Sequence, residues 1–216
     1  DYKVLPYSWA AATPLSNFEA NMDYRDVEDP SIFFTLRARN DHNKIKKDDE
    51  FLVWTTTPWC IPGNLAIAVG EKIKYSRILL NNKNYWIASE RLGELNDHEY
   101  QIIDESIGSD LIGGEYVPAY DEFENEYLNG AFRIIHSDDT NTDSGSGLVS
   151  QAPAYGESDF YALKKGGINA IVDPVTLSGK FDSSVKGLEN KYVKDADAII
   201  IKQLDERKLL FSQTTE

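Results

Sequence analysis

Three consecutive threonines, Thr55, Thr56 and Thr57, close an apolar run and open into Pro-Trp-Cys-Ile-Pro-Gly-Asn in the stretch "VWTTTPWCIPGN" (53–64). Side chains alternate faces along a strand, so Thr55 and Thr57 point one way and Thr56 the other, until Pro58 removes a ladder donor and ends regular pairing. Hydroxyls at such a strand end donate and accept hydrogen bonds while their methyls pack, which suits a small molecule bearing an amide, ester or hydroxyl. From the letters alone, a β-prone edge is the favoured reading. A second chemical feature lies in "GESD" (156–159), where Asp159 falls in the first turn of a predicted helix and the helix dipole favours its charged form. Cys60 is the single cysteine, and none of the three histidines, His42, His98 and His136, lies in a motif that would bring a base beside it. The thiol is therefore read as a small apolar filler rather than a nucleophile. One cysteine forms no internal disulfide, and the scattered histidines make no spaced zinc-ligand cluster, so neither a metal nor a cofactor is expected.

The elements that must position these residues are mostly strands. "SIFFTLRA" (31–38), "EFLVWTT" (50–56), "LAIAV" (65–69), "YSRILL" (75–80), "NYWIAS" (84–89), "YQIID" (100–104), "AFRII" (131–135) and "GLVSQA" (147–152) are short, rich in β-branched or aromatic residues, and bounded by turn formers. "ILLNNKNYWIA" predicts a hairpin turning at residues 81–84. Two segments carry helical signals. "GESDFYALKKGG" (156–167) begins acidic, ends in lysines and is stopped by glycines. In "NKYVKDADAIIIKQLDERKLL" (190–210), Val193, Ala196, Ile200 and Leu204 share a face. The sum is an α+β fold with a closed or strongly curved, barrel-like sheet and a few peripheral helices. The polar segments 40–49 and 137–147 are the expected flexible loops, and the second feeds directly into the chemistry of "GLVSQAPAYGESD".

A chain of 216 residues, 41% apolar, can bury a proper core as a single domain over 1–216. No apolar run approaches the ~20 residues of a membrane span, and "DYKVLPYSWAA" lacks the basic start and apolar core of a signal peptide, so a cytoplasmic protein is expected. With 22 basic and 36 acidic residues the net charge is −14, which repels a polyanion. If nucleic acid is a partner, another domain must hold it.

"TPLSNFE" (13–19), "DVEDPS" (26–31), "WTTTPWCIPGNLAIAV" (54–69), "GSGLVSQAPAYGESD" (145–159) and "YVKDADAIII" (192–201) together resemble, in order and spacing, the editing domain of isoleucyl-tRNA synthetase, the connective polypeptide inserted into a class I catalytic core. "ANMDYRDVEDPS" and the glutamine of "QAP" resemble its eukaryotic cytoplasmic branch. The resemblance covers nearly the whole chain and implies hydrolysis of the ester joining valine to the terminal adenosine of isoleucine tRNA. One methylene is worth only ~1–3 kcal/mol in an apolar pocket, a general figure for which isoleucyl-tRNA synthetase is the standard illustration, so the resemblance implies a second site that removes the smaller product. No "HIGH"- or "KMSKS"-type sequence is present, so ligation is not expected of this chain. The implied partners are the valine-bearing 3′ end of isoleucine tRNA and the rest of the synthetase, which grips the remainder of the tRNA. A monomer is the simplest expectation.

The resemblance also implies roles. Asp159 matches the aspartate that binds the α-ammonium of the aminoacyl group. Thr55, Thr56 and Thr57 match threonines that line the site and orient the attacking water. Trp59 and Asn64 occupy positions that shape the adenosine end of the pocket, while Tyr155 and Gly156 set the turn before the helix. Two residues depart from the pattern: Cys60 stands where threonine is usual, and Ser150 where histidine is usual before "QAP". Because that histidine helps to size the pocket, an alternative stays open: a module that docks the aminoacylated 3′ end without efficient hydrolysis.

Overall fold

The computed structural model describes residues 3–22, 29–95 and 98–215; residues 26–28 of the "DVEDPS" motif lie outside them. A short hairpin of β1 (Tyr7–Ser8) and β2 (Thr13–Pro14) and a helical turn, α1 (Asn17–Ala20), precede the main sheet. That sheet contains β3 (Pro30–Arg37), β4 (Glu50–Thr55), β5 (Ala66–Val69), β6 (Lys74–Leu80), β7 (Lys83–Ala88), β8 (Gln101–Ile107), β9 (Arg133–His136), β10 (Val149–Gln151) and β11 (Leu210–Thr215). The two longer helices are α2 (Glu157–Lys165) and α3 (Val193–Glu206).

Strand β4 organises the sheet. One edge pairs antiparallel with β3, from Ile32 opposite Thr55 to Arg37 opposite Glu50. Its other edge is divided: Glu50 and Phe51 run parallel to Tyr85 and Trp86 of β7, whereas Trp54 runs parallel to Val149 of β10. The first half leads through β7 to β6 and β8, and the second through β10 to β5 and β9. Glu115 and Tyr116 then bridge Arg133 and Ala38, which links β9 back to the end of β3. The curved, barrel-like sheet expected from the sequence is thus present, as a mixed sheet whose one branch curls round on itself.

Ile32, Phe34, Leu36, Phe51 and Val53 join the larger buried cluster with Ile67 and Ile134. Residues of opposite parity, Phe33 and Leu52, join a second cluster with Ile78, Leu80, Tyr85, Ile87 and Leu95. Burial on both faces explains why β3 and β4 read as continuous apolar runs rather than alternating ones. Asn81 and Asn82, with φ of 49° and 62°, form a two-residue turn between β6 and β7, in which both central residues adopt the left-handed conformation that asparagine tolerates.

Four expectations change. The helix read over 190–210 stops at Glu206, and its basic end turns into edge strand β11, which pairs with β3. Strand β8 extends to Ile107, beyond the "YQIID" segment. The segment 40–49 is anchored, since Ile45 is fully buried and Asp49 is 1% exposed beneath Arg77. The loop 137–147 is likewise tied down, because the Arg91 guanidinium donates to the carbonyls of Gly145, Thr142 and Asp143.

Candidate functional site

At the end of β4 the chain leaves the sheet through Thr57 and winds into a 3-10 helix, Pro58–Gly63. Proline at its first position fixes φ and supplies no N–H where none could be paired. The Thr57 N–H donates to Thr55 Oγ1 at 3.1 Å, and the two hydroxyls stand 3.3 Å apart. Alternation along the strand thus puts Thr55 and Thr57 together. Antiparallel to β5 runs β10, with Ser150 opposite Ile67. After β10 the chain turns through Tyr155 and Gly156 into α2, which returns Asp159 to the same place.

These pieces enclose a cleft of about 200 Å³ lined by Thr55, Thr57, Trp59, Cys60, Ser150, Ala152, Tyr155, Gly156 and Asp159. The Trp59 and Tyr155 rings pack at 4.8 Å to form one wall. Gly156 is needed beside the carboxylate, as a Cβ there would lie 2.8 Å from Asp159 Cγ. Of the residues singled out in the sequence, Thr55, Thr57, Trp59, Cys60, Ser150 and Asp159 come together, and Tyr155 and Gly156, expected only to set the turn before α2, line the cleft as well. Thr56 does not line the cleft. Asn64 stands behind it, 6% exposed: its Nδ2 donates to Ser150 Oγ at 2.9 Å and to the Ala66 carbonyl, and its Oδ1 accepts from the Tyr116 hydroxyl at 2.6 Å. Because the Ser150 oxygen accepts from Asn64, its own O–H is left to act as a donor.

Asp159 Oδ2 accepts the Ala152 N–H at 2.8 Å, whereas Oδ1 has a long contact of 3.4 Å with the Ser158 hydroxyl. Among the described residues no basic side chain pairs with it. Burial raises its pKa, against the lowering effect of those hydrogen bonds. The first-turn position alone would favour the charged form, and desolvation acts in the opposite direction. Burial also pushes the Cys60 thiol up to about 12, so its thiolate is scarce at neutral pH.

Two contributors went unremarked in the sequence, Tyr116 and Asp197. Tyr116 is fully buried behind Asn64, and only the fold brings it there. Asp197 does carry a sequence signal: it lies four residues after Val193 and beside Ala196, an acid on the edge of an apolar helix face. Its Oδ1 accepts the Trp59 N–H at 2.7 Å.

No family model matches the chain. The fold is similar to that of GlLeuRS-CP1, with a TM-score of 0.66 at 13% identity, covering 85% of this chain and 98% of that one. It is also similar to the editing domain of the P. falciparum cytosolic leucyl-tRNA synthetase, with a TM-score of 0.62 at 9% identity, covering 87% and 99%. The architecture is therefore that of the editing domains of class I aminoacyl-tRNA synthetases. In sequence, the chain is 40% identical over 217 residues to the isoleucine–tRNA ligase of Protochlamydia amoebophila, covering 99% of this chain and 20% of that protein. It is 39% identical over 222 residues to the cytoplasmic isoleucine–tRNA ligase of Caenorhabditis elegans, covering 98% and 19%. The chain belongs with the isoleucine–tRNA ligases and corresponds to their editing domain, about one fifth of the length of these relatives. Bacterial and eukaryotic relatives stand at nearly equal identity, so the similarity to the eukaryotic branch is not distinctive. Among the described residues, no helix is long and apolar enough to cross a membrane.

Proposed function

We propose that the cleft hydrolyses the ester of valyl-tRNA(Ile), acting on the 3′ end of the tRNA while the rest of the synthetase holds its body. The observation that carries this reading is Asp159: a half-buried, partly desolvated carboxylate with one oxygen under-used and no basic partner among the described residues, 2.8 Å from the Ala152 nitrogen whose N–H orients it. A ligand ammonium supplies the missing charge, and pairing in a partly dehydrated cleft stabilises the ionised form that burial opposes. The Thr55 and Thr57 hydroxyls, 3.3 Å apart, position water for attack on the ester carbonyl carbon. The C–O bond to the ribose then breaks, and the departing ribose oxygen takes the proton. An ester has a good leaving group, so placement suffices without a covalent intermediate, consistent with the weakly acidic Cys60 thiol.

In this reading the chain is one domain over 1–216 and works in the cytoplasm, with Trp59 and the Asn64-held Ser150 bounding the pocket. The test is deacylation of valyl-tRNA(Ile) by the protein and by Asp159→Ala. Turnover in the parent and its loss in the variant support the reading. Saturable binding of the aminoacyl-tRNA without turnover in the parent would instead assign a docking module.

A further inference from the structure

The 3-10 helix that carries Trp59 and Cys60 into the cleft begins without a side-chain cap of its own. Thr57 stands at its N-cap with no side-chain hydrogen bond to the backbone, and Pro58 has no N–H, so the Trp59 N–H is the first donor to need a partner. That partner comes from a helix 138 residues further on: Asp197 of α3, 5% exposed, accepts the Trp59 N–H at 2.7 Å. Asp197 touches the wall of the cleft from behind and is absent from its lining.

We propose that Asp197 is a positioning residue, a cap supplied from α3 that fixes the Trp59–Cys60 wall of the ester-hydrolysing cleft. The proposal rests on the functional reading given above and extends it to the residue that sets the cleft's width. Trp59 is held on one side by the Tyr155 ring at 4.8 Å and on its backbone by Asp197, and Cys60 follows because its N–H donates to the Thr57 carbonyl at 3.0 Å. Losing the cap frees the first turn of a helix with only six residues. A wall that shifts by about 1 Å misplaces the ester relative to the threonine hydroxyls, and such misplacement costs up to ~100-fold in rate.

The charged groups facing Asp197 are few. Lys194 on the same helix lowers its pKa, and Asp29 ahead of β3, itself 2.7 Å from Lys194 Nζ, raises it. The Cys60 thiol lies near it on the 3-10 helix, and Gln213 of β11 shares its hollow without charge. Burial is the dominant influence and pushes the carboxyl up to about 6. The cap is therefore a carboxylate at neutral pH and is protonated in mild acid, where the hydrogen bond to Trp59 weakens.

Two measurements test the role. In the first, the backbone amide of Trp59 is followed by NMR as pH falls. The proposal expects the parent amide proton to shift with a midpoint near 6, and expects that shift to vanish in Asp197→Asn, which keeps an acceptor but does not titrate. A Trp59 amide that does not titrate in the parent overturns the cap whatever the activity of the protein. In the second, valyl-tRNA(Ile) deacylation is compared in the parent, Asp197→Asn and Asp197→Ala at neutral pH and at a temperature where all three are folded by circular dichroism. Positioning predicts a fall in kcat of about 10- to 100-fold for alanine and rescue to within about threefold by asparagine. Equal rates in all three overturn the positioning role while leaving the ester-hydrolysing reading intact. A parent without turnover defeats that reading, and the amide titration then decides the cap by itself.

Discussion

Two aspartates in this chain, one buried and one half-buried, stand in opposite states. Asp49, 1% exposed, is saturated: Arg77 donates to both of its oxygens at 2.9 and 2.6 Å, the Trp86 indole at 3.0 Å and the Lys46 N–H at 2.9 Å. Asp159, half-buried, accepts one short hydrogen bond from the Ala152 N–H, with weaker help from the Ser158 hydroxyl and its own N–H, and has no cation partner among the described residues. A fold that merely needed an acid at position 159 would gain by pairing it, as it pairs Asp49 with Arg77 of β6 and Trp86 of β7. Saturation marks a carboxylate that the structure uses internally. Under-saturation beside threonine hydroxyls marks one held for a ligand, at some cost in stability.

The comparison is sharpened most by Asp49→Ala. It leaves the 16%-exposed Arg77 side chain without its partner and the Trp86 N–H unpaired, and should lower the unfolding free energy by about 3–5 kcal/mol in urea denaturation. A loss below about 1 kcal/mol would mean that the cluster is not a structural anchor.

Asp197 falls between the two, with one N–H and a distant lysine, and it yields a pH prediction. Its folded-state pKa is raised from 3.8 to about 6, so the folded chain holds more protons than the unfolded chain in that window, and the group's contribution to stability falls as pH rises through it. The urea midpoint of Asp197→Asn relative to the parent should therefore climb between about pH 4 and 6.5 and level off above. A flat difference would show that the carboxyl titrates normally.

Ser150→His offers a smaller and more specific change. Imidazole in place of a hydroxymethyl fills the space that rejects one extra methylene. The ratio of deacylation rates on valyl- and isoleucyl-tRNA(Ile) should then rise by about tenfold, at the low end of what a methylene can supply. An unchanged ratio would place Ser150 outside the side-chain pocket, although it lines the cleft. The smallest effect is expected at Thr56, which points away. Thr56→Ala should keep deacylation within about twofold of the parent, whereas Thr57→Ala should reduce it by at least tenfold, as befits a lost hydrogen bond to the reacting groups. Equal losses would restore Thr56 to the site.

Much of this was written locally in the sequence. The Asn81–Asn82 turn, the Gly156 and Gly166 limits of α2 and the alternation that joins Thr55 to Thr57 depend on neighbours a few residues apart. The motifs carried Asp159, Ser150 and Cys60 to one place. What the sequence hid were long-range relations. Nothing near Asp49 announces Arg77 or Trp86, and nothing near Asn64 announces Tyr116, because each partner arrives from another strand or loop. "DERKLL" continues a helical period, yet β3 offers an open edge that Leu210 and the residues after it take up. The upward pKa shift of Asp159 is hidden for the same reason: its place in a first helical turn is visible in the sequence, but its burial is not.

The central claim, that Asp159 is left under-paired for an ammonium, is tested most directly by Asp159→Asn, with thermal unfolding and valyl-tRNA(Ile) deacylation measured on the same preparation near pH 7. The account predicts that turnover is lost by at least 100-fold, on the order of the 2–5 kcal/mol that a desolvated charge pair supplies, while the melting temperature is unchanged or higher because a disfavoured buried charge is gone. A variant that melts several degrees lower and still deacylates at the parent rate would contradict it, and would make Asp159 a structural acid like Asp49.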